Sequence, residues 1–207
     1  MTVNEEREVF LRTISSYFKK NSNIPLEQEN IYSYLVSHTI KDGYLQGIPR
    51  ENVVDVQLRL NEKYKRSEGI NTFTGPKPHD GPKPHDGPKP YYVFWVIENR
   101  GQMKDKNFYE VIKDSIKLYL PVDASNIYEV STKVLDYIIK EGIHIQAKIA
   151  KNMRSDVFVI RVLDKDKLDK LLNYINSLDY NSKSKPNPFA LNVGRVSITK
   201  DGMMSYN

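Results

Sequence analysis

The chain has 207 residues, a formal net charge of +5 and no cysteine. This length is enough for one sizeable domain with an extension, and the lack of cysteine excludes a disulfide framework and a thiolate metal site. With 39% hydrophobic residues and 14 tyrosines, the composition is typical of a folded protein. The chain starts without an apolar signal core, and no apolar run approaches membrane-spanning length, so we expect a cytoplasmic protein that does not enter a membrane.

The first third of the chain is predicted to be a helical subdomain over residues 1–70. Residues 4–20 read as an amphipathic helix, because their apolar side chains fall on one stripe at helical spacing. A Pro-containing break precedes a second predicted helix over residues 26–39. A third, weaker helix is predicted over residues 50–64.

Residues 71–90 are predicted to be an exposed loop. The sequence Gly-Pro-Lys-Pro-His-Asp occurs at residues 75–80 and 81–86 and begins again at residue 87. So much proline and glycine is incompatible with a helix or an interior strand and favours a polyproline-like conformation. His79 and His85 are a candidate metal pair, but a repeated tract is more often an expanded linker, so we predict no metal site.

Residues 91–207 are predicted to form an α+β core. Strand patterns and helix patterns alternate along this part of the chain. The predicted strands are residues 91–97, 116–122, 143–150, 156–162 and 193–198; the predicted helices are residues 108–115, 126–141 and 164–178, with Gly142 ending the second and a turn at residues 201–202. This order predicts a mixed or antiparallel sheet with helices covering one face.

The other face of this sheet is predicted to be polar. Alternation places Lys117 and Tyr119 on one face of their strand, and His144, Gln146 and Lys148 on one face of the next. Cations that converge on a sheet face are typical of a phosphate site. The alternative is a face that is only solvated, which antiparallel sheets commonly have, and spacing alone favours that alternative.

The region from Tyr91 onward resembles the HopA-type effector family of plant-pathogen type III secretion and its bacterial relatives. The resemblance lies in Lys117-Leu118-Tyr119 on a strand, Ala147-Lys148-Ile149 about thirty residues later, and Arg154-Ser155-Asp156 before the next strand. Some relatives look like the lyase components of split lanthipeptide synthetases, and these are similar to phosphothreonine lyases. Those lyases carry a Lys-x-His strand, a lysine about thirty residues later and an arginine about a dozen after that.

The resemblance implies β-elimination of phosphate from a phosphorylated threonine or serine, without a metal or organic cofactor. Lys148 is then the base that removes the α-proton, and Lys117, Arg154 and Arg195 hold the phosphate. An ordinary lysine has a pKa near ~10.4, so the neighbouring cations and partial burial must lower that of Lys148.

At the position of the acid of this reaction, the sequence departs from the lyase pattern. Tyr119 stands where the lyases have a histidine, and a phenol is a weaker acid near neutral pH. His144 is the alternative acid, although a strand histidine more often faces water without a role.

The resemblance implies as partners a phosphorylated precursor peptide, a separate kinase and other biosynthetic enzymes. The alternative function is a secreted effector or a module that binds a phosphopeptide without catalysis. We do not expect nucleic acid as a partner, because the Lys and Arg residues form no run and no RNA- or DNA-binding motif occurs.

Overall fold

The computed structural model describes residues 1–76, 93–99, 115–182 and 184–200, without the side chains of residues 73–76, 93–96 and 200. Its helices are α1 (Val3–Lys20), α2 (Gln28–Val36), α3 (Val54–Tyr64), α4 (Ile127–Lys140) and α5 (Leu168–Ser177). Its strands are β1 (His38–Lys41), β2 (Tyr44–Gly47), β3 (Asn71–Pro76), β4 (Val93–Asn99), β5 (Ile116–Leu120), β6 (Ile145–Ile149), β7 (Phe158–Val162), β8 (Leu191–Val193) and β9 (Val196–Lys200). The predicted helix over residues 108–115, except its last residue, lies outside the described residues, and so do the turn at residues 201–202 and the repeat from residue 77.

The N-terminal helices form a small apolar core with a β-hairpin. Phe10, Ile14 and Phe18 of α1 pack against Tyr34 and Ile40. The predicted helix over residues 26–39 is too long, because α2 ends at Val36 and the next residues form β1, which pairs with β2. The hairpin turn explains the difference. Asp42 and Gly43 both have positive φ, at 52° and 85°, as a two-residue turn of this kind requires.

The α+β fold is confirmed. Within the described residues, seven antiparallel strands form one sheet in the order β3-β4-β6-β7-β5-β9-β8, and its apolar face is covered by α3, α4 and α5. The buried side chains of β6 are Ile145, Ala147 and Ile149, which is the alternation that the sequence predicts. In the described part of the chain, no helix combines the length and the apolar character needed to cross a membrane.

The predicted loop over residues 71–90 begins too early, because Asn71–Pro76 forms strand β3. This strand pairs with β4 and lies at the edge of the sheet. An edge strand tolerates proline, because the missing N–H is not needed by a second neighbour.

The predicted last strand, residues 193–198, is in fact the hairpin of β8 and β9. The chain turns at Gly194, where φ is +61°. The Cα of this glycine lies close to helix α5. A Cβ at this position would lie 2.2 Å from the side-chain oxygen of Asn176. That oxygen accepts a hydrogen bond from the backbone N–H of Arg195 at 2.9 Å, so it is held in place.

Gly194→Ala is therefore expected to lower the free energy of unfolding by about 1–3 kcal/mol, because the new methyl group adds strain at positive φ to a steric clash. Urea denaturation followed by circular dichroism measures this change. Gly47→Ala is the matched control, since nothing lies within 4 Å of its Cβ position, and it should cost less than half as much. Equal losses in the two variants would contradict the role assigned to Gly194.

Candidate phosphate site

Two rows of side chains cross the open face of the sheet, because residues paired directly across antiparallel strands point to the same face. The first row runs over five neighbouring strands and comprises Glu98, Gln146, Arg161, Lys117 and Thr199. The second row comprises Lys148, Val159, Tyr119 and Ser197. The register therefore brings Lys117, Lys148 and Arg161 from three adjacent strands into neighbouring positions.

A pocket of about 200 Å³ opens between these two rows. Lys117 of β5, Lys148 of β6 and Arg161 of β7 all line it, together with Tyr119 and Gln146. Among the described residues that line the pocket there is no carboxylate. The pocket is thus a concavity with three cationic side chains, which favours an anionic ligand.

Lys117 and Arg161 are partly desolvated in this pocket. Burial, together with the smaller effect of the neighbouring charge of Arg161, lowers the pKa of Lys117 from its usual 10.5 to about 8. Burial also lowers the pKa of Arg161, whose guanidinium donates a hydrogen bond to the Ser115 hydroxyl at 3.1 Å. Lys148 is more exposed to solvent. Burial and the charge of Arg161 therefore favour the neutral amine of Lys117.

Tyr119 lies beside Lys117 in the second row and keeps its proton. Its phenol oxygen accepts a hydrogen bond from the Thr199 hydroxyl at 3.3 Å. Burial raises the pKa of Tyr119. The phenol is therefore a hydrogen-bond donor toward the pocket at neutral pH and a weaker acid than an exposed tyrosine.

Arg154 does not line the pocket but belongs to a cluster at its rim. Its guanidinium forms a two-pronged ion pair with the carboxylate of Asp156 and donates a hydrogen bond to the phenol oxygen of Tyr32 at 3.0 Å. The Tyr32 hydroxyl in turn donates to Asp156. Tyr32, which comes from α2, is the member of the cluster that lines the pocket.

Arg195 lies at the β8–β9 turn, and the structure does not bring it to the pocket. Its guanidinium donates to the carbonyl oxygens of Leu178 at 3.1 Å and Tyr180 at 2.8 Å, and it stacks 4.5 Å from the centre of the Tyr180 ring. These contacts lie just beyond the C-terminal end of α5, which packs on the opposite face of the sheet. A cation is favourable there, because helix carbonyls point outward at that end.

His144 also lies outside the pocket, just before β6 begins. Its Nδ1 atom lies 3.0 Å from Asp164, and its backbone N–H donates to the other oxygen of the same carboxylate at 2.7 Å. Four residues of strand separate it from Lys148, which corresponds to about 13 Å. Of the six residues predicted for the site, the structure therefore brings together Lys117, Tyr119 and Lys148.

Two residues at the pocket were missed by the sequence analysis. Arg161 follows Lys148 by about a dozen residues, the spacing that the lyase resemblance implies, and alternation from Phe158 places it on the polar face. Both signals were available in the sequence. Tyr32 is different, because nothing in the sequence connects α2 with a strand that follows it by more than eighty residues.

No protein-family model matches the chain, and neither does any curated protein sequence. A solved structure does match, described as the structure of the effector protein from Pseudomonas syringae pv. tomato strain DC3000. This chain shares the fold of a bacterial effector protein. The match covers 95% of this chain and 79% of that chain, with a TM-score of 0.51 and 14% sequence identity. Likeness at this identity concerns the fold alone. It agrees with the effector part of the predicted resemblance, and the lyase part stays a prediction.

Proposed function

We propose that the open face of the sheet binds a phosphorylated threonine or serine of a peptide and releases the phosphate by β-elimination. The observation that carries this proposal is the convergence of Lys117, Lys148 and Arg161 around one pocket. A phosphorylated side chain carries a charge of about −1.5 to −2 and three acceptor oxygens. Three cations on adjacent strands suit that charge, and the planar fork of Arg161 suits two of the oxygens.

In this proposal Lys117 is the base and Lys148 is a phosphate ligand, which reverses the roles that the resemblance implies. Lys117 removes the α-proton, because with a pKa of about 8 roughly one tenth of it is neutral at pH 7. The electron pair of the broken Cα–H bond forms a Cα–Cβ double bond, the Cβ–O bond breaks, and phosphate leaves. Lys148 and Arg161 stabilise the leaving phosphate. Bound phosphate raises the pKa of Lys117, and the charge of Arg161 opposes that rise.

The acid in this proposal is Tyr119, whose phenol is protonated beside Lys117 and donates its proton to the departing phosphate oxygen. Its raised pKa weakens it as an acid. This observation favours a second candidate function, in which the same pocket binds a phosphopeptide without turnover. A kinase must supply the substrate in both cases, since both require a phosphorylated peptide.

The test is to incubate the protein with a library of phosphothreonine and phosphoserine peptides and to analyse them by mass spectrometry. We expect peptides that are lighter by the elements of phosphoric acid, together with released inorganic phosphate. Lys133→Ala, which removes a lysine of α4 paired with Glu129 on the helical side, is the control and should retain activity. Peptides that bind but keep their phosphate would support the second candidate. A library that neither binds nor reacts would exclude both.

A further inference from the structure

We propose that Tyr32 is a specificity-determining residue that contacts the peptide around the phosphorylated side chain, and that Arg154 and Asp156 act through it as positioning residues. This inference rests on the proposed phosphate site and adds the N-terminal part of the chain to it. It also gives Arg154 a role other than the phosphate ligand that the sequence suggested.

Tyr32 is the described lining residue of the pocket that does not belong to the sheet. The others come from β5, β6 and β7, whereas Tyr32 reaches the pocket from α2. It also lines a neighbouring cavity of about 20 Å³, which it shares with Tyr119. Tyr32 is 37% exposed, so part of its ring remains available to a ligand that enters the pocket from solvent.

The hydroxyl of Tyr32 is held by an ion pair whose carboxylate is buried and whose guanidinium is partly exposed. Asp156 is 8% exposed and binds both Arg154 and the Tyr32 hydroxyl. A buried carboxylate keeps such partners, because leaving it unpaired is costly. The phenol is therefore fixed with its polar end toward Asp156.

Because of the same ion pair, Arg154 is not expected to bind the phosphate of the substrate. Asp156 neutralises the guanidinium and would repel a phosphate placed beside it. The Tyr32 hydroxyl is likewise directed to Asp156, so it is not a donor for phosphate. The ring of Tyr32 is therefore the part of the side chain that contacts a ligand in this proposal. Rigid aromatic rings contribute strongly to peptide recognition.

The geometry therefore separates two affinities. The three cations of the pocket set the affinity for phosphate, and Tyr32 sets the additional affinity for the peptide that carries it. The experiment compares the dissociation constants of inorganic phosphate and of a phosphothreonine peptide library by NMR titration of the folded protein. In the unaltered protein, the peptides should bind more tightly than phosphate.

Tyr32→Ala should weaken peptide binding by about tenfold, as expected for an aromatic contact, and leave inorganic phosphate within about twofold. Tyr32→Phe keeps the ring but lacks the hydroxyl that bonds to Asp156. It should therefore weaken peptide binding less than Tyr32→Ala does. Tyr44→Ala is the matched control, because that tyrosine is 74% exposed on β2, and it should change neither constant. Thermal unfolding of each variant shows that the fold is intact.

Arg154→Lys tests the positioning role. It should weaken peptide binding in the unaltered background but not in the Tyr32→Ala background, because its effect passes through Tyr32. Three results would overturn the inference: unchanged peptide binding by Tyr32→Ala, peptide binding no tighter than phosphate, or weaker phosphate binding by Arg154→Lys. Failure of the unaltered protein to bind inorganic phosphate would instead contradict the proposed phosphate site itself.

Discussion

Replacing Lys117 by methionine is expected to lower the rate of phosphate release by about 10²–10⁴-fold, the usual contribution of a general base. Methionine keeps the length and removes the amine, so phosphopeptide binding should fall much less than the rate. Single-turnover measurements with the peptides selected from the library separate the two effects. Lys148→Met is the matched variant and should affect binding more than the chemical step. The reverse pattern would return the base to Lys148.

The pH dependence of stability provides a second measure of the same substitution. In the folded protein Lys117 has a pKa of about 8, against its usual 10.5 in an unfolded chain. Between these values the unfolded chain binds more protons, so stability rises with pH. Relative to Lys117→Met, the unaltered protein should gain roughly 2 kcal/mol between pH 8 and 10.5, after allowance for screening by solvent. A constant difference across this range would contradict the lowered pKa.

Replacing Arg161 by glutamine is expected to weaken phosphate and phosphopeptide binding alike, by about 10- to 100-fold. The physical reason is the loss of charge-assisted hydrogen bonds, each of which contributes about 1.5–3 kcal/mol. Arg161→Lys retains the charge without the planar fork and should lose less. Isothermal titration with inorganic phosphate and with the selected peptides gives both constants.

The Arg161 and Tyr32 variants are expected to differ in which dissociation constants they change, and this difference tests whether the pocket is the phosphate site. Substitution of Arg161 should change both constants by the same factor, whereas substitution of Tyr32 should change the peptide constant alone. If Arg161→Gln bound phosphate as tightly as the unaltered protein, the pocket would not be the phosphate site. Ionic strength must be held constant in these titrations, because exposed cations are screened by salt.

The core of the fold could be predicted from the sequence because its elements carry strong periodic patterns. The α4 prediction, residues 126–141, differs by one residue at each end from Ile127–Lys140, and β6 shows the predicted alternation. Local turn chemistry was underused, since Asp42-Gly43 is a strong hairpin signal between the second and third predicted helices. Gly194 likewise divides one predicted strand into two.

Candidate site residues could be predicted from the sequence only where strand alternation determines the face on which a side chain lies. Lys117, Tyr119 and Lys148 were predicted to share a face because alternation places each of them on the polar side of its strand. The alternation and spacing that identify Arg161 were also present. The positions of Arg154, His144 and Arg195 depend on contacts with Asp156, Asp164 and the end of α5, and Tyr32 depends on how two parts of the chain pack. Apart from the Arg154–Asp156 ion pair, whose members are two residues apart, these contacts join residues that are distant in the sequence and have no signature in a single sequence.

The order of strands has a consequence for how this surface responds to a ligand. The strands β6, β7 and β5, which carry Lys148, Arg161 and Lys117, are the middle three of the seven strands that the structure describes in this sheet. Central strands are bonded on both sides and open last in a folded sheet. The cations are thus presented on strands that are paired on both sides, and no rearrangement of the sheet is needed to assemble them. If the protein changes conformation to fit a ligand, we expect the change at the rim of the pocket, where α2 meets the segment between β6 and β7.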